Sequence, residues 1–238
     1  MNILKHVCLT FLFLLSVGYS FATWSIIVVD PETGTIGIAG ASCTQSVYGI
    51  GSIVPGKGAI VVQAMSNPFA RAAGLKMIRE DRSPQDILVA IRNPEFDPEH
   101  QQYAIVTLPY ATMPATYTGK EASDHKGTLT ANGISVQGNI LAGPDVLMAV
   151  LEAALMARKD GRPLEEILLL ALEAGAQRGG DRRCGELTAS SAFLTVAKAA
   201  DDRKNPFINL VVYGTAEKVN AVSALRTKFN DWKWKQVL

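Results

Sequence analysis

The sequence carries no surplus of charge. Its 23 Lys and Arg face 22 Asp and Glu, a formal net charge of +1. Such a balance leaves no footprint for nucleic acid or for an anionic surface as partner. Histidine is scarce, at three in 238 residues. His100 and His125 lie in polar stretches without metal-ligand spacing, and nothing else points to a bound metal or cofactor. No G-x-S-x-G, no phosphate-binding Walker loop and no H-E-x-x-H occurs. Beyond Ala22, no apolar run approaches the roughly 20 residues of a membrane span. Internal repeats, low-complexity tracts and linkers are lacking too, which predicts one domain over residues 23–238. What is present is an ordinary globular composition, 48% hydrophobic and 19% charged, enough to fill one sizeable core.

Met1 to Ala22 combines Lys5 and His6, an apolar run from Val7 to Val17 and a small-x-small ending at Ser20-Phe21-Ala22. These parts, in this order, predict a secretory signal over residues 1–22, cut after Ala22. The protein is then exported, to the periplasm or the medium. An uncleaved anchor is the alternative, although the apolar run is short for one. Cysteine is sparse, and Cys8 would leave with the leader. Cys43 and Cys184 remain, an even pair in an oxidising compartment. A disulfide and two unpaired buried thiols are both open.

Trp24 to Val29 is apolar and β-branched, so it reads as a buried strand. Asp30-Pro31-Glu32-Thr33-Gly34 is a turn, and Thr35 to Ala41 returns as a second strand. The small residues Gly37, Ala39, Gly40 and Ala41 suggest that another backbone or a ligand comes close. Gln45 to Lys57 is glycine-rich and reads as a loop, Ala59 to Met65 as a third strand. Asn67-Pro68 and Ser83-Pro84 are helix starts, with a capping side chain and Pro in the first turn. Strands are expected at Gln102 to Leu108, Ala115 to Thr118 and Ile134 to Gln137. A polar loop from Lys120 to Gly127 and an Asn132-Gly133 turn precede the last of these. Two long helices follow, about Pro144 to Lys159 and Pro163 to Arg178. Strands at Ser191 to Lys198 and Phe207 to Tyr213 come next, then a helix from about Glu217. Strands and helices in blocks predict α+β rather than a parallel βαβ sheet, with helix pairs covering two packed sheets.

Several short stretches together suggest a family: Thr23-Trp24-Ser25-Ile26, Asp30 to Gly34, Ala41-Ser42-Cys43, Gln63-Ala64, Gln137-Gly138-Asn139-Ile140-Leu141-Ala142-Gly143 and Gly179-Gly180-Asp181-Arg182-Arg183. In this order they resemble the bacterial family known as domain of unknown function 1028, placed in the N-terminal-nucleophile (Ntn) hydrolase superfamily. The resemblance covers essentially the whole chain after the leader. It implies an αββα four-layer sandwich and an N-terminal nucleophile, and names no substrate. Cytoplasmic members typically begin Met-Thr, so that loss of the initiator exposes a threonine; Thr23 falls at the matching place. Cys184 departs from the commoner glycine-rich continuation after Asp-Arg, which fits an exported variant in which Cys43 and Cys184 pair.

A chain cut before Thr23 would carry a hydroxyl and a free α-amine on one residue. The amine, with an unperturbed pKa of about 7.7–8, is partly neutral near pH 7 and can take the hydroxyl proton. The expected activity is therefore that of an N-terminal-threonine amidohydrolase, opening a C–N amide bond of a small molecule or peptide through an acyl-enzyme. Asn139 is the first candidate for an oxyanion donor; otherwise it is a turn residue. Asp181, an acid at a helix end, would position the ammonium or a substrate group, or simply pair with Arg182 or Arg183. Ser42, Gln63 and Asn67 are candidate substrate contacts, Asn67 equally a plain helix cap. Phe229, Trp232 and Trp234 would pack the last helix on its own domain or meet a glycan. Two rival readings remain: a non-catalytic binding protein with the same fold, and a cysteine enzyme using Cys43, which a disulfide would exclude. Homo-oligomerisation is left open.

Overall fold

The structure is a computed structural model, and residues 23–123, 125–214 and 219–237 are described. The expected leader, residues 1–22, lies outside the described residues. The chain opens with the expected hairpin, β1 (Thr23–Asp30) and β2 (Thr35–Ser42). Its turn is closed by Asp30, whose carboxylate accepts from Glu32 N–H at 3.0 Å and the Thr33 hydroxyl at 2.6 Å. Gly34 takes the positive φ of 69° that the turn requires. Next come β3 (Gly51–Val54) and β4 (Gly58–Ala64), then α1 (Pro68–Arg79) and α2 (Pro84–Ile91). Asn67 and Ser83 cap these helices through their side chains, as their Pro neighbours predict. The chain continues with β5 (Gln101–Thr107), β6 (Ala115–Thr118), β7 (Gly127–Ala131) and β8 (Ile134–Asn139). Helices α3 (Asp145–Lys159) and α4 (Leu164–Gln177), strands β9 (Ser191–Ala197) and β10 (Ile208–Val212), and helix α5 (Ala221–Val237) complete it.

Two expectations need correction. Strand β3 lies inside the stretch read as a loop, because four residues beginning with Gly show no period and gain their order from pairing with β4. Strand β7 is half-exposed and lies at the outer edge of its sheet, so its threonines gave no buried signal. Helix α5 starts at Ala221, where Asn220 caps it by accepting from Val222 N–H at 2.8 Å, and the expected start at Glu217 lies outside the described residues.

All strand pairs are antiparallel. One sheet has six strands in the order β10-β9-β2-β1-β8-β7, the other four in the order β3-β4-β5-β6. The alternation of β1 sends Trp24, Ile26 and Val28 to one side and Ile27 and Val29 to the other. The first group joins a core with α3, α4 and α5. The second meets Ala59, Val61, Ala104 and Val106 of the smaller sheet. The far face of that sheet packs Ile60, Val62, Tyr103 and Ile105 against α1 and α2. No described helix is long and apolar enough to cross a membrane.

The small residues of β2 admit close neighbours, and here they are side chains. A methyl at Gly37 would lie 2.4 Å from Leu168 Cδ1 of α4, and one at Gly40 would lie 2.8 Å from Phe193 Cε1. On α5, Phe229 is buried and stacks on Trp232, with ring centroids 5.7 Å apart, while Trp234 is exposed.

Trp24 is the largest fully buried side chain, and α4 makes room for it with a glycine. A methyl at Gly175 would sit 2.7 Å from Trp24 Nε1 and 2.8 Å from Val150 Cγ2. Gly→Ala inside a helix ordinarily gains about 0.5–1 kcal/mol. Against a rigid indole the overpacking cost, about 1–3 kcal/mol, outweighs that gain. Gly175→Ala is therefore expected to lower the urea unfolding midpoint without changing the slope of the transition.

Candidate functional site

The alternation that fills the cores also places a polar row at one end of the larger sheet. Thr23 of β1 stands directly opposite Asn139 of β8. Ser42 of β2 stands opposite Ser191 of β9. The β1–β2 register, with Trp24 opposite Ala41, brings Ser42 alongside Thr23. All four side chains are buried and belong to the face turned toward the smaller sheet. Both side-chain atoms of Asn139, and the Ser191 hydroxyl, have no hydrogen-bond partner among the described residues. Leaving such a group unpaired costs about 1–3 kcal/mol. The next residue, Ile140, has a φ of 52°, a conformation a β-branched side chain rarely adopts and one that costs about 1–3 kcal/mol. Its carbonyl accepts from Arg182 N–H at 3.2 Å, which helps to hold the turn.

Beneath this row a chain of buried side chains links the two sheets. The Ser135 hydroxyl donates to Gln137 Oε1 at 2.9 Å, and Gln137 Nε2 donates to Ser25 Oγ at 2.6 Å. Ser25 in turn donates to Gln63 Oε1 at 2.6 Å. Gln63 Nε2 donates to Gln102 Oε1 at 2.9 Å and to the Thr23 carbonyl at 3.4 Å. Gln102 Nε2 returns to the larger sheet, donating to the Gly138 carbonyl at 2.9 Å. The smaller sheet thus grips the backbone on both strands that carry Thr23 and Asn139. Gln63 lies under Thr23 with its amide engaged in this chain.

Asp181 is buried outside the row. Its Oδ2 accepts from Cys43 N–H at 2.6 Å and Arg183 Nη2 at 2.8 Å, and its Oδ1 from Arg183 N–H at 3.0 Å. Cys43 and Cys184 form a disulfide with a Cα–Cα distance of 5.5 Å. Carboxylate and disulfide fasten the same two segments, and so hold the end of β2 next to Ser42. The bonded sulfur removes the thiol that a Cys43 nucleophile would need, and a disulfide suits an oxidising compartment. Asn67 is also apart from the row. Its Oδ1 accepts from Phe69 and Ala70 N–H, and its Nδ2 donates to the Phe96 carbonyl at 2.9 Å.

Thr23 lines a cleft of about 320 Å3 together with Thr44, Ser46, Tyr48, Met65, Ser66 and Arg71. Ala64 and Ser66, on either side of Met65, hold φ values of 69° and 53°. Burial pushes the Arg71 guanidinium below its usual pKa. A larger hollow of about 860 Å3 surrounds the β1–β2 turn at the opposite end of the strand, and none of the candidate residues lines it.

A family model described as a family of unknown function, DUF1028, matches residues 23–222. The chain belongs to that family. Within DUF1028 it is similar to protein SPO2555 from Silicibacter pomeroyi, a family member whose crystal structure aligns with a TM-score of 0.70. The two are 26% identical over 88% of each chain. No curated protein matches the chain.

Sequence reasoning missed Ser25, Ser135, Gln137, Gln102 and Ser191 of this DUF1028 site. A signal existed in β8, where Ser135, Gln137 and Asn139 occupy every second position of a strand that is otherwise apolar. Two predictions test the scaffold. Gln63→Met removes acceptor and donor at once and orphans Ser25 and Gln102, so stability should drop by about 1–3 kcal/mol per orphan in urea titrations. Cys184→Ser should cost about 2–5 kcal/mol in the same measurement.

Proposed function

We propose that the protein is an exported N-terminal-threonine amidohydrolase, one domain over residues 23–238, with residues 1–22 removed as a signal. The observation that carries this reading is Asn139, a buried amide with no hydrogen-bond partner among the described residues, set directly opposite Thr23. An enzyme tolerates an orphaned donor where a transition state will occupy it. The family match that begins at Thr23 supports the same boundary. Two sheets packed face to face, with helices on both outer faces, support the αββα arrangement of Ntn hydrolases.

In the uncut chain the Thr23 nitrogen is an amide and cannot act as a base. Cleavage after Ala22 would turn it into an amine. The Thr23 hydroxyl then attacks the carbonyl carbon of the substrate amide, and its proton passes to the α-amine, directly or through one water. Asn139 Nδ2 donates to the oxyanion. Collapse breaks the C–N bond, and the leaving amine takes the proton from the α-ammonium. Water attacks the resulting ester, losing its proton to the α-amine; the acyl C–O bond then breaks, the α-ammonium returns that proton to the Thr23 oxygen, and the carboxylic acid leaves. Ser42 and Ser191 contact the substrate along the row. Asp181 is a positioning residue that steadies Cys43 and the end of β2, while Gln63 fixes the Thr23 carbonyl.

The test needs no known substrate. Intact mass of the exported protein should show a chain starting at Thr23, and a β-lactone should add one acyl group to it. Thr23→Ala should abolish the adduct, and Thr23→Ser should keep part of it. Asn139→Ala should slow acylation about 10²–10³-fold. The rate should fall as pH drops below the amine's range, about 7.7–8 when unperturbed, because protonation removes the base. A different N-terminus, or labelling that survives Thr23→Ala, overturns the proposal and favours a binding protein on the same fold.

A further inference from the structure

The cleft beside Thr23 holds hydroxyls, apolar side chains and backbone, and Arg71 is the one charged side chain among the described residues of its lining. Arg71 stands on the first turns of α1, a helix anchored by its Asn67 cap, so its base is rigid. Among the described residues its guanidinium has one hydrogen bond, a long one of 3.5 Å to Ser66 Oγ. No carboxylate lies within 4.0 Å of it among the described residues.

Other partly buried arginines of this chain are better matched. Arg226 makes a two-pronged contact with Glu173, at 2.7 Å for each prong. Arg183 does the same with Asp181, at 3.1 and 2.8 Å. Arg158, also partly buried, donates to the Asn132 carbonyl at 2.5 Å and has the charge of Asp30 nearby. Arg158 also lines a hollow, the larger one at the β1–β2 turn, but its guanidinium is engaged there; Arg71 alone in this group has neither a carbonyl nor a carboxylate as partner among the described residues. An arginine keeps its charge at neutral pH, and its planar fork fits a carboxylate with two parallel bonds. The loop before α1 supports that aim, with two non-glycine residues in the left-handed region next to the cleft. Met65 N–H is tied down by the His100 carbonyl at 3.2 Å.

We propose that Arg71 binds a free carboxylate on the substrate, so that the amide cleaved at Thr23 belongs to a small N-acyl amino acid or to the C-terminal end of a short peptide. A volume of about 320 Å3 is at the small end for ligand sites and suits such a molecule better than a polymer. The inference rests on the amidohydrolase reading for its scissile bond, but the carboxylate site itself is testable without turnover.

Binding is measured by calorimetry at low ionic strength on the mature chain carrying Thr23→Ala. The probes are pooled N-acetyl amino acids and the matching N-acetyl amino-acid amides, which differ only in the carboxylate. The acids should bind, and their neutral amides should bind at least ten-fold more weakly. Adding Arg71→Gln should weaken the acids roughly ten- to hundred-fold, the range for one charge-assisted contact, and leave the amides unchanged. Arg71→Lys, which keeps the charge and is milder for folding, should retain part of the affinity. Equal binding of acids and amides, no binding of either, or indifference to both Arg71 variants overturns the proposal. Arg71-dependent binding with no lactone adduct on the native mature chain would remove the catalytic reading and leave the carboxylate site standing. A lactone adduct on Thr23 with no preference for acids would do the reverse.

Discussion

Strand β1 is flanked on both sides, by β2 and by β8, and the rest of the site depends on that double pairing. Here the first described residue has Asn139 across from it on one side and Ser42 next to it on the other. Ladder hydrogen bonds therefore fix Thr23 more firmly than a loop could. The same pairing turns Trp24 into the helix-packed core, so a slip by one residue would drive the indole between the two sheets and turn Thr23 and Ser25 toward the apolar helices.

The interface between the sheets changes character along its length. Around Ile27, Val29, Ala59 and Val61 it is apolar and held by burial alone. Toward Thr23 it becomes a run of serines and glutamines in which donor meets acceptor across the gap. Apolar packing would have been simpler to stabilise there. A fully satisfied amide network instead specifies one register between the sheets, which is what a site assembled from both requires. Asn139, left out of that network, is the exception that sets the row apart from its support.

Much of the frame was legible from local rules. The β1–β2 turn, the Asn67 and Ser83 caps and the paired helices each follow from side chains within a few positions of one another. That Ser42 comes alongside Thr23 was also legible, through the hairpin register. The glutamine chain was not, because Ser25 meets Gln63 and Gln137 only once two sheets are stacked. Ser191 reaches the row through a neighbour, β2, that no local signal identifies. Asn67 shows the converse: its helix-starting pattern accounts for its bonds, and the row does not include it. That Arg71 has no carboxylate within 4.0 Å among the described residues is likewise a tertiary fact, since it depends on which acids the fold keeps away.

The placement of β1 also bears on the order in which the molecule can assemble. Its first neighbour, β2, emerges from synthesis almost at once, but β8 follows more than a hundred positions later, as the 112-residue span from Ser25 to Gln137 shows. Throughout that interval one margin of an apolar, β-branched ribbon stands open, and an open margin of that kind invites pairing with other chains. The nascent protein is thus most prone to sticking along the very border that later encloses Thr23. Rapid recruitment of β8 is the natural safeguard for such a design.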